Sequence, residues 1–230
     1  MDCFSVVIPI FNEDKNIEFL FEEIIDNLKE YSSFQIVVVN DCSTDHTISV
    51  LNNYSNRRNF TILHNKKNMG QSYSIKHGIN NSLYENIITI DGDGQNDPSD
   101  FSKLIKLYFS DNKIKMVAGI RTKRKDSYLK IISSKIANYI RNIVLKDGCQ
   151  DTGCSLKIFE KKIFQKLPFF DGIHRFLPAL FIGYNYKVYY VSVNHRKRKF
   201  GNTNYGTFDR LLRGIRDMNK VKKIIKNINA

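Results

Sequence analysis

Asn86-Ile87-Ile88-Thr89-Ile90-Asp91-Gly92-Asp93-Gly94-Gln95-Asn96-Asp97-Pro98 is the stretch from which the rest of the chain is read. Ile87, Ile88 and Ile90 make an apolar run closed by Gly and Pro turn signals, the pattern of a buried strand. Asp91 and Asp93 then leave that strand at its carboxyl end, and open α/β sheets bind ligands along that edge. Hard carboxylate oxygens on a tight loop suit Mg²⁺ or Mn²⁺ holding a diphosphate. The intervening glycines let the backbone approach such a ligand closely. Taken alone, the pattern fits an ordinary Asp-Gly turn equally well.

Working outward, apolar strands alternate with amphipathic helices. Strands are expected at Phe4–Pro9, Phe34–Asn40, Phe60–His64, Asn86–Asp91 and Lys115–Ile120, and helices at Asn16–Tyr31, Thr44–Tyr54, Gln71–Asn80 and Ser99–Phe109. Ile17, Leu20, Phe21, Ile24, Ile25 and Leu28 recur at helical spacing and predict one inward stripe. Thr44 or Asp45 is placed to cap the second helix. The alternation predicts an α/β fold: a mostly parallel central sheet with helices on both faces. The second half is less regular. It reads as a basic helix over about Tyr128–Leu145, a Gly/Asp loop, a strand at Ser155–Phe159, a helix at Glu160–Leu167, a strand at Lys187–Val193 and a last helix from Thr207.

The 230 residues, 42% of them hydrophobic, suffice for one substantial domain. A formal charge of +13 calls for an anionic partner: nucleic acid, a phosphorylated substrate or an acidic membrane surface. Cys3, Cys42, Cys149 and Cys154 show neither CxxC pairing nor zinc spacing, which fits a reduced, cytosolic chain. No signal peptide is read at the N-terminus, and no apolar run reaches the roughly 18 residues that span a bilayer.

GxGxxG, GxxxxGK[ST], HExxH and GxSxG are all missing. What is present, in order, is Val6-Val7-Ile8-Pro9-Ile10-Phe11-Asn12-Glu13, Val37-Val38-Val39-Asn40-Asp41-Cys42-Ser43-Thr44-Asp45, Asn68-Met69-Gly70 and Asp91-Gly92-Asp93-Gly94-Gln95. Together these resemble the nucleotide-sugar half of the family 2 glycosyltransferases, and within them the dolichol-phosphate mannosyltransferase and bacterial polyprenyl-phosphate glycosyltransferase group. The resemblance runs from about Phe4 to Tyr205 and implies a GT-A fold.

It also implies roles. Pro9, Phe11, Asn12 and Glu13 match the segment along the base and ribose, with Phe11 where the family often has Tyr. Asp41 matches the residue bonding the base, and Asp91, Asp93 and Gln95 match the metal and diphosphate group. Arg121, Lys130 and Ser134 match the acceptor-phosphate cluster. Arg198 matches the arginine bracing the donor diphosphate. Asn204 stands where these relatives usually have Lys, a phosphate contact that Arg196 or Lys199 would have to replace. Asp151 matches an aspartate near the acceptor; it is the candidate base if the acceptor is a hydroxyl, and a buried capping residue otherwise. Asp41 could equally cap a helix, and Asn68 and Gly70 could form a plain turn. His174 and Arg175 resemble a segment contacting acceptor or sugar, although such a histidine often sits satisfied in a core. His195 receives no chemistry.

The expectation is therefore an inverting, metal-dependent transferase with Mg²⁺ or Mn²⁺ as cofactor. It takes a nucleoside-diphosphate sugar as donor and polyprenyl phosphate as acceptor, peripherally on the cytoplasmic face of the membrane, with a homo-oligomer or membrane-protein partner left open. Residues 1–206 form the catalytic domain and 207–230 a basic amphipathic helix. Phe208, Leu211, Leu212, Ile215, Met218, Val221, Ile224, Ile225 and Ile228 give that helix an apolar stripe flanked by bases, suited to an anionic interface. Two other readings compete: the same donor chemistry on a saccharide or lipopolysaccharide-type acceptor, and a non-enzymatic basic module binding RNA or acidic lipid. No nucleic-acid module is recognisable.

Overall fold

Successive strand residues go to opposite faces of one sheet, so each strand feeds two cores. Val6, Ile8, Val38 and Ile88 belong to one, and Val7, Val37, Val39 and Ile87 to the other. The computed structural model describes residues 3–31, 33–122, 139–200 and 207–228, with side chains in the last helix from residue 214. The elements run β1 (Cys3–Ile10), α1 (Ile17–Leu28), β2 (Ser33–Asn40), α2 (Thr47–Asn52), β3 (Phe60–His64), α3 (Gln71–Asn80) and β4 (Asn86–Thr89). A 3₁₀ turn, Pro98–Asp100, leads into α4 (Phe101–Tyr108) and β5 (Ile114–Arg121), followed by helix α5 at 139–145. The chain continues through β6 (Lys157–Glu160), α6 (Lys161–Lys166), a second 3₁₀ turn at Ile173–Arg175, α7 (Leu177–Gly183), β7 (Lys187–Val193) and α8 (Thr207–Ile228).

The sheet has seven strands in the order β3-β2-β1-β4-β6-β5-β7. Every pairing is parallel except those of β6, which is wedged antiparallel between β4 and β5. The expected mostly parallel sheet with helices on both faces is what forms. α1 and α4 cover the first core, whereas α3, α6, α7 and α8 cover the second. Pro9, in a central strand, lacks a donor for the ladder. The β1–β4 pairing stops at Val7, so no β4 partner stands opposite Pro9.

Element ends depart from expectation where tertiary bonds take over. β4 stops at Thr89 because the Asp91 N–H donates to Ser155 Oγ (3.1 Å) instead of continuing the ladder. α2 begins at Thr47, since Thr44 is held by Asn12: its N–H donates to Asn12 Oδ1 (2.8 Å). Of the two expected caps, Asp45 serves, accepting from the Thr47 N–H (3.0 Å).

Gly78 brings α3 onto the sheet. A Cβ there would lie 2.5 Å from Val7 Cγ1 and 3.0 Å from Val39 Cγ2. Gly78→Ala is expected to cost about 1–3 kcal/mol through overpacking, outweighing the better helix propensity of Ala. Urea unfolding of the two proteins measures the difference directly.

α8 lies on α7. Val221 is fully buried, Met218, Ile224 and Ile225 pack on the second core, and Ile225 fills the space over Gly183. This half of the expected interfacial stripe is thus committed to the domain, while Ile215 and Ile228 stay exposed. The side chains of Phe208, Leu211 and Leu212 lie outside the described residues. Among the described residues, no helix is long and apolar enough to cross a membrane.

Candidate active site at the carboxyl edge of the sheet

The loops after β1, β2, β4 and β7 converge at the carboxyl edge, and with them most of the residues singled out above. Asp91 and Asp93 follow β4. Asp91 Oδ1 accepts from Gln71 Nε2 (2.6 Å) at the start of α3. Below it, Ser155 Oγ takes the Asp91 N–H and donates to Asn96 Oδ1 (2.7 Å), which fixes the loop from underneath. Asp93 Oδ1 accepts the Gln95 N–H (3.0 Å). Burial, and then the nearby Asp93 charge, push the Asp91 carboxyl up to about 6. A carboxylate whose proton affinity is raised by burial and by a neighbouring carboxylate is a place a divalent cation relieves. Among the described residues no group of three or more His, Cys, Asp or Glu forms a closed metal site. An open pair of carboxylates suits Mg²⁺ or Mn²⁺, whose other ligands come from substrate phosphates and water. Gln95 uses its side-chain nitrogen on the Arg196 carbonyl (3.3 Å), which leaves its amide oxygen as the group available to a cation.

Arg198 stands between two expected site residues. It pairs with Glu13 Oε1, its Nη1 lies 3.9 Å from Asp93 Oδ2, and its Nε donates to the Phe200 carbonyl (2.8 Å). Glu13 is buried, and desolvation raises its pKa against the opposing pull of Asn16 and Arg198. Asn12, at φ +57, is locked to the loop after β2 through Ser43 and Thr44. Pro9 and Phe11 flank this segment at the end of β1 and are partly exposed. Arg196 is held by Glu23 and Asp97 (2.7 Å each), and Lys199 Nζ sits 3.8 Å over the Phe19 ring, so both bases offered in place of a lysine at 204 have partners elsewhere. Lys130, Ser134 and Asn204 lie outside the described residues.

Asp41 is buried at the end of β2 and straps the next loop down. Its Oδ1 accepts from Asn65 Nδ2 (2.7 Å) and the Met69 N–H (2.8 Å), and its Oδ2 accepts from the Gly70 N–H (2.8 Å). The Asn68-Met69-Gly70 motif is therefore the partner of Asp41. A base edge would have to use the lone pair that Oδ2 has left.

Arg121 and Asp151, expected at the acceptor phosphate and as a possible base, form one bidentate pair. Arg121 Nε meets Asp151 Oδ2 (2.7 Å) and Nη2 meets Oδ1 (2.8 Å), with the Arg121 and Gly153 N–H groups also donating to the carboxylate. Asp151 is 5% exposed. The pair leaves Arg121 Nη1 outside the carboxylate contact, 3.5 Å from His195 Nε2.

His174 Nδ1 pairs with Ser72 Oγ (2.6 Å), which also accepts the Gly172 N–H (2.8 Å). Burial, then Arg175 and Lys157, hold this imidazole well below its ordinary pKa, so it is neutral. Sequence reasoning missed Gln71, Ser72, Ser155 and the buried Lys157. None lies on a periodic stripe; Gln71, Ser72 and Ser155 acquire their roles from partners distant in the chain, while Lys157 donates to the nearby Cys154 carbonyl and places its charge near Asp91. A separate cavity of about 310 Å³, lined by Lys76, Asn80, Phe164 and Phe169 among others, opens near the far end of α3 from Gln71.

Glycosyl transferase family 2 is the family whose model matches, over residues 5–168. The chain is 31% identical over 220 residues to a dodecaprenyl-phosphate galacturonate synthase of Rhizobium johnstonii, covering 93% of this chain and 64% of that protein. It is 28% identical over 218 residues to an undecaprenyl-phosphate 4-deoxy-4-formamido-L-arabinose transferase of Photorhabdus laumondii, covering 93% and 66%. The chain thus spans just under two thirds of the length of these curated relatives. A crystal structure of glucosyl-3-phosphoglycerate synthase from Mycobacterium tuberculosis, in complex with Mn²⁺, UDP and glucosyl-3-phosphoglycerate, superposes with a TM-score of 0.70 at 15% identity, covering 95% of this chain and 78% of that one. At that identity the likeness speaks for the fold, which is GT-A.

Proposed function

The chain belongs to glycosyl transferase family 2, and from that footing we propose that it moves a sugar from a nucleoside-diphosphate sugar to a polyprenyl phosphate at the cytoplasmic face of the membrane, inverting the anomeric centre. The names of the two curated relatives support this acceptor class. One observation of the site carries it: Asp151, the carboxylate that a hydroxyl acceptor would need as base, is held in a bidentate pair with Arg121. A phosphate oxygen is already ionised at neutral pH and needs no such base; positioning supplies the catalysis.

Within this reading Asp91 and Asp93, with the Gln95 oxygen, hold Mg²⁺ or Mn²⁺, which supplies positive charge against the departing diphosphate. Gln71 and Ser155 keep Asp91 in place for that task. Arg198 adds a fixed cation beside Asp93 and directs charge stabilisation at the leaving group. Pro9, Phe11, Asn12 and Glu13 border the nucleoside, and Asp41 shapes the loop that closes over it. Asp151 aims Arg121, whose Nη1 is the atom offered to the acceptor phosphate, with Lys130 and Ser134 as the further acceptor residues.

Incubation with polyprenyl phosphate and a panel of labelled nucleotide sugars, UDP-galacturonate among them, should yield an organic-extractable lipid whose label is released by mild acid. Label found only in water-soluble glycan would replace this reading with a saccharide acceptor.

A further inference from the structure

Lysine is seldom fully buried without an anionic partner, because its ammonium gives up hydration that a neutral acceptor replaces only in part. Lys157 on β6 is 3% exposed, and among the described residues the Cys154 carbonyl is its one hydrogen-bond acceptor. An ammonium has three donors, and an apolar side chain of the same length would fill the position at a smaller desolvation cost. The charge therefore has a reason other than packing.

The register of β6 places it. Lys157 stands opposite Thr89 of β4, as Phe159 stands opposite Ile87. Side chains alternate across a sheet, so Lys157 shares the face of Ile87 and Phe159, which belong to the second core, and of Asp91, two residues beyond Thr89. Its charge opposes the rise of the Asp91 carboxyl and adds to the depression of His174.

The carbonyl that Lys157 grips belongs to a segment serving both ends of the site. At its start, the Asp151 carboxylate holds Arg121 and also accepts the Gly153 N–H (3.2 Å). Arg121 lies close over this turn: a Cβ on Gly153 would be 2.6 Å from Arg121 Nη2. At its end, the Ser155 hydroxyl takes the Asp91 N–H and bonds Asn96, and the Ser155 carbonyl accepts from Thr89 Oγ1 (2.6 Å). Cys154 lies between the two sets of bonds. Residues 151–153 thus attend the Arg121 end and Ser155 the Asp91 end, with the gripped carbonyl at the junction.

We propose that Lys157 is a positioning residue: by holding the Cys154 carbonyl it pins residues 151–155 and fixes the spacing between the Arg121 end and the Asp91 end of the site. A side chain rooted in the sheet passes the rigidity of β6 to the loop that precedes it. In-line attack tolerates little error in that spacing, since a 1 Å misplacement can cost about 100-fold in rate. The inference rests on the donor and acceptor ends assigned under the proposed function, because their spacing matters only if they hold the two reactants.

Lys157→Met removes the donor and keeps an unbranched apolar stem, whereas Lys157→Arg keeps a donor and the charge. In hydrogen–deuterium exchange of the full chain, Lys157→Met should speed exchange of the 151–155 amides by about tenfold or more and leave the β1 and β2 amides as in the parent. With polyprenyl phosphate and labelled nucleotide sugar, its kcat should fall by about 10–100-fold while Mn²⁺-dependent nucleotide affinity stays at the parent value. Lys157→Arg should restore both readouts. Unchanged exchange at 151–155 overturns the proposal, as does a parental kcat in Lys157→Met. A fall in nucleotide affinity that accounts for the lost product also overturns it, since Lys157 then acts on Asp91 through its charge. Equal losses in the Met and Arg variants overturn it too, because packing and not the carbonyl bond is then at work. A parent that labels no lipid removes the polyprenyl-phosphate reading, and the exchange result alone then decides on the pin. A parent that labels lipid, with Lys157→Met doing so equally, removes the pin and leaves that reading standing.

Discussion

Asp93→Ala is expected to lower sugar transfer by about 10²–10³-fold, the scale of removing one preorganised electrostatic contact to developing charge. The same variant should lose Mn²⁺-dependent nucleotide binding in calorimetry while unfolding at nearly the parent urea concentration. Among the described residues Asp93 is bonded at the loop by the Gln95 N–H and lies 3.9 Å from Arg198 Nη1, so little of the core depends on it. The pH dependence follows from its neighbour. Burial and Asp93 raise the Asp91 carboxyl to about 6, and a bound proton competes with a cation. Metal-dependent nucleotide affinity of the parent should therefore be full above that value and fall as pH drops through it. For stability the sign is opposite: a carboxyl raised in the folded state favours folding below the ordinary carboxylate pKa, and that advantage is lost as pH rises through about 6. Unchanged affinity in Asp93→Ala, with and without Mn²⁺, removes these carboxylates from the donor site.

The second large effect concerns Arg121 and Asp151. Asp151→Asn should destabilise the protein by about 3 kcal/mol, because it leaves a guanidinium without its counter-charge in a buried setting. The lower end of the range for buried pairs applies, as the Arg121 side chain keeps 15% exposure. The Arg121→Met/Asp151→Leu double variant should be more stable than either single change, giving a large coupling in a double-mutant cycle. A base role predicts something else: a loss confined to kcat, with the acidic limb of the pH profile removed and urea unfolding unaffected. Denaturation and pH–rate curves on the same preparations separate the two.

The first half of the fold was legible because its signals are local. The helical spacing of Ile17 through Leu28 and the apolar runs of β1, β2 and β4 are properties of neighbouring residues, and all formed, with β4 ending at Thr89 rather than Asp91. β6 was legible as a strand but not as an antiparallel wedge, since its four residues carry no mark of which strands they will separate. The candidate site divides in the same way. Asp91 and Asp93 advertise themselves within one loop. The Arg121–Asp151 pair spans 30 positions and Ser72–His174 spans 102, so Arg121, Asp151 and His174 were visible as residues while their partners were not. The stripe of α8 was read correctly as apolar, but a periodic stripe does not say whether lipid or α7 will cover it.

The wedge has a consequence for how the chain assembles as it is synthesised. β1 to β4 can pair among themselves as they emerge, and only the outer edge of β4 waits for β6. β5 cannot: its two neighbours, β6 and β7, both come later in the chain. At ribosomal speeds of about 5–20 residues per second, the 35 residues between β5 and β6 leave an apolar strand with bare edges for about 2–7 seconds. Over that interval the nascent chain presents a template for unwanted strand addition, and it is there that a holding chaperone would be most needed.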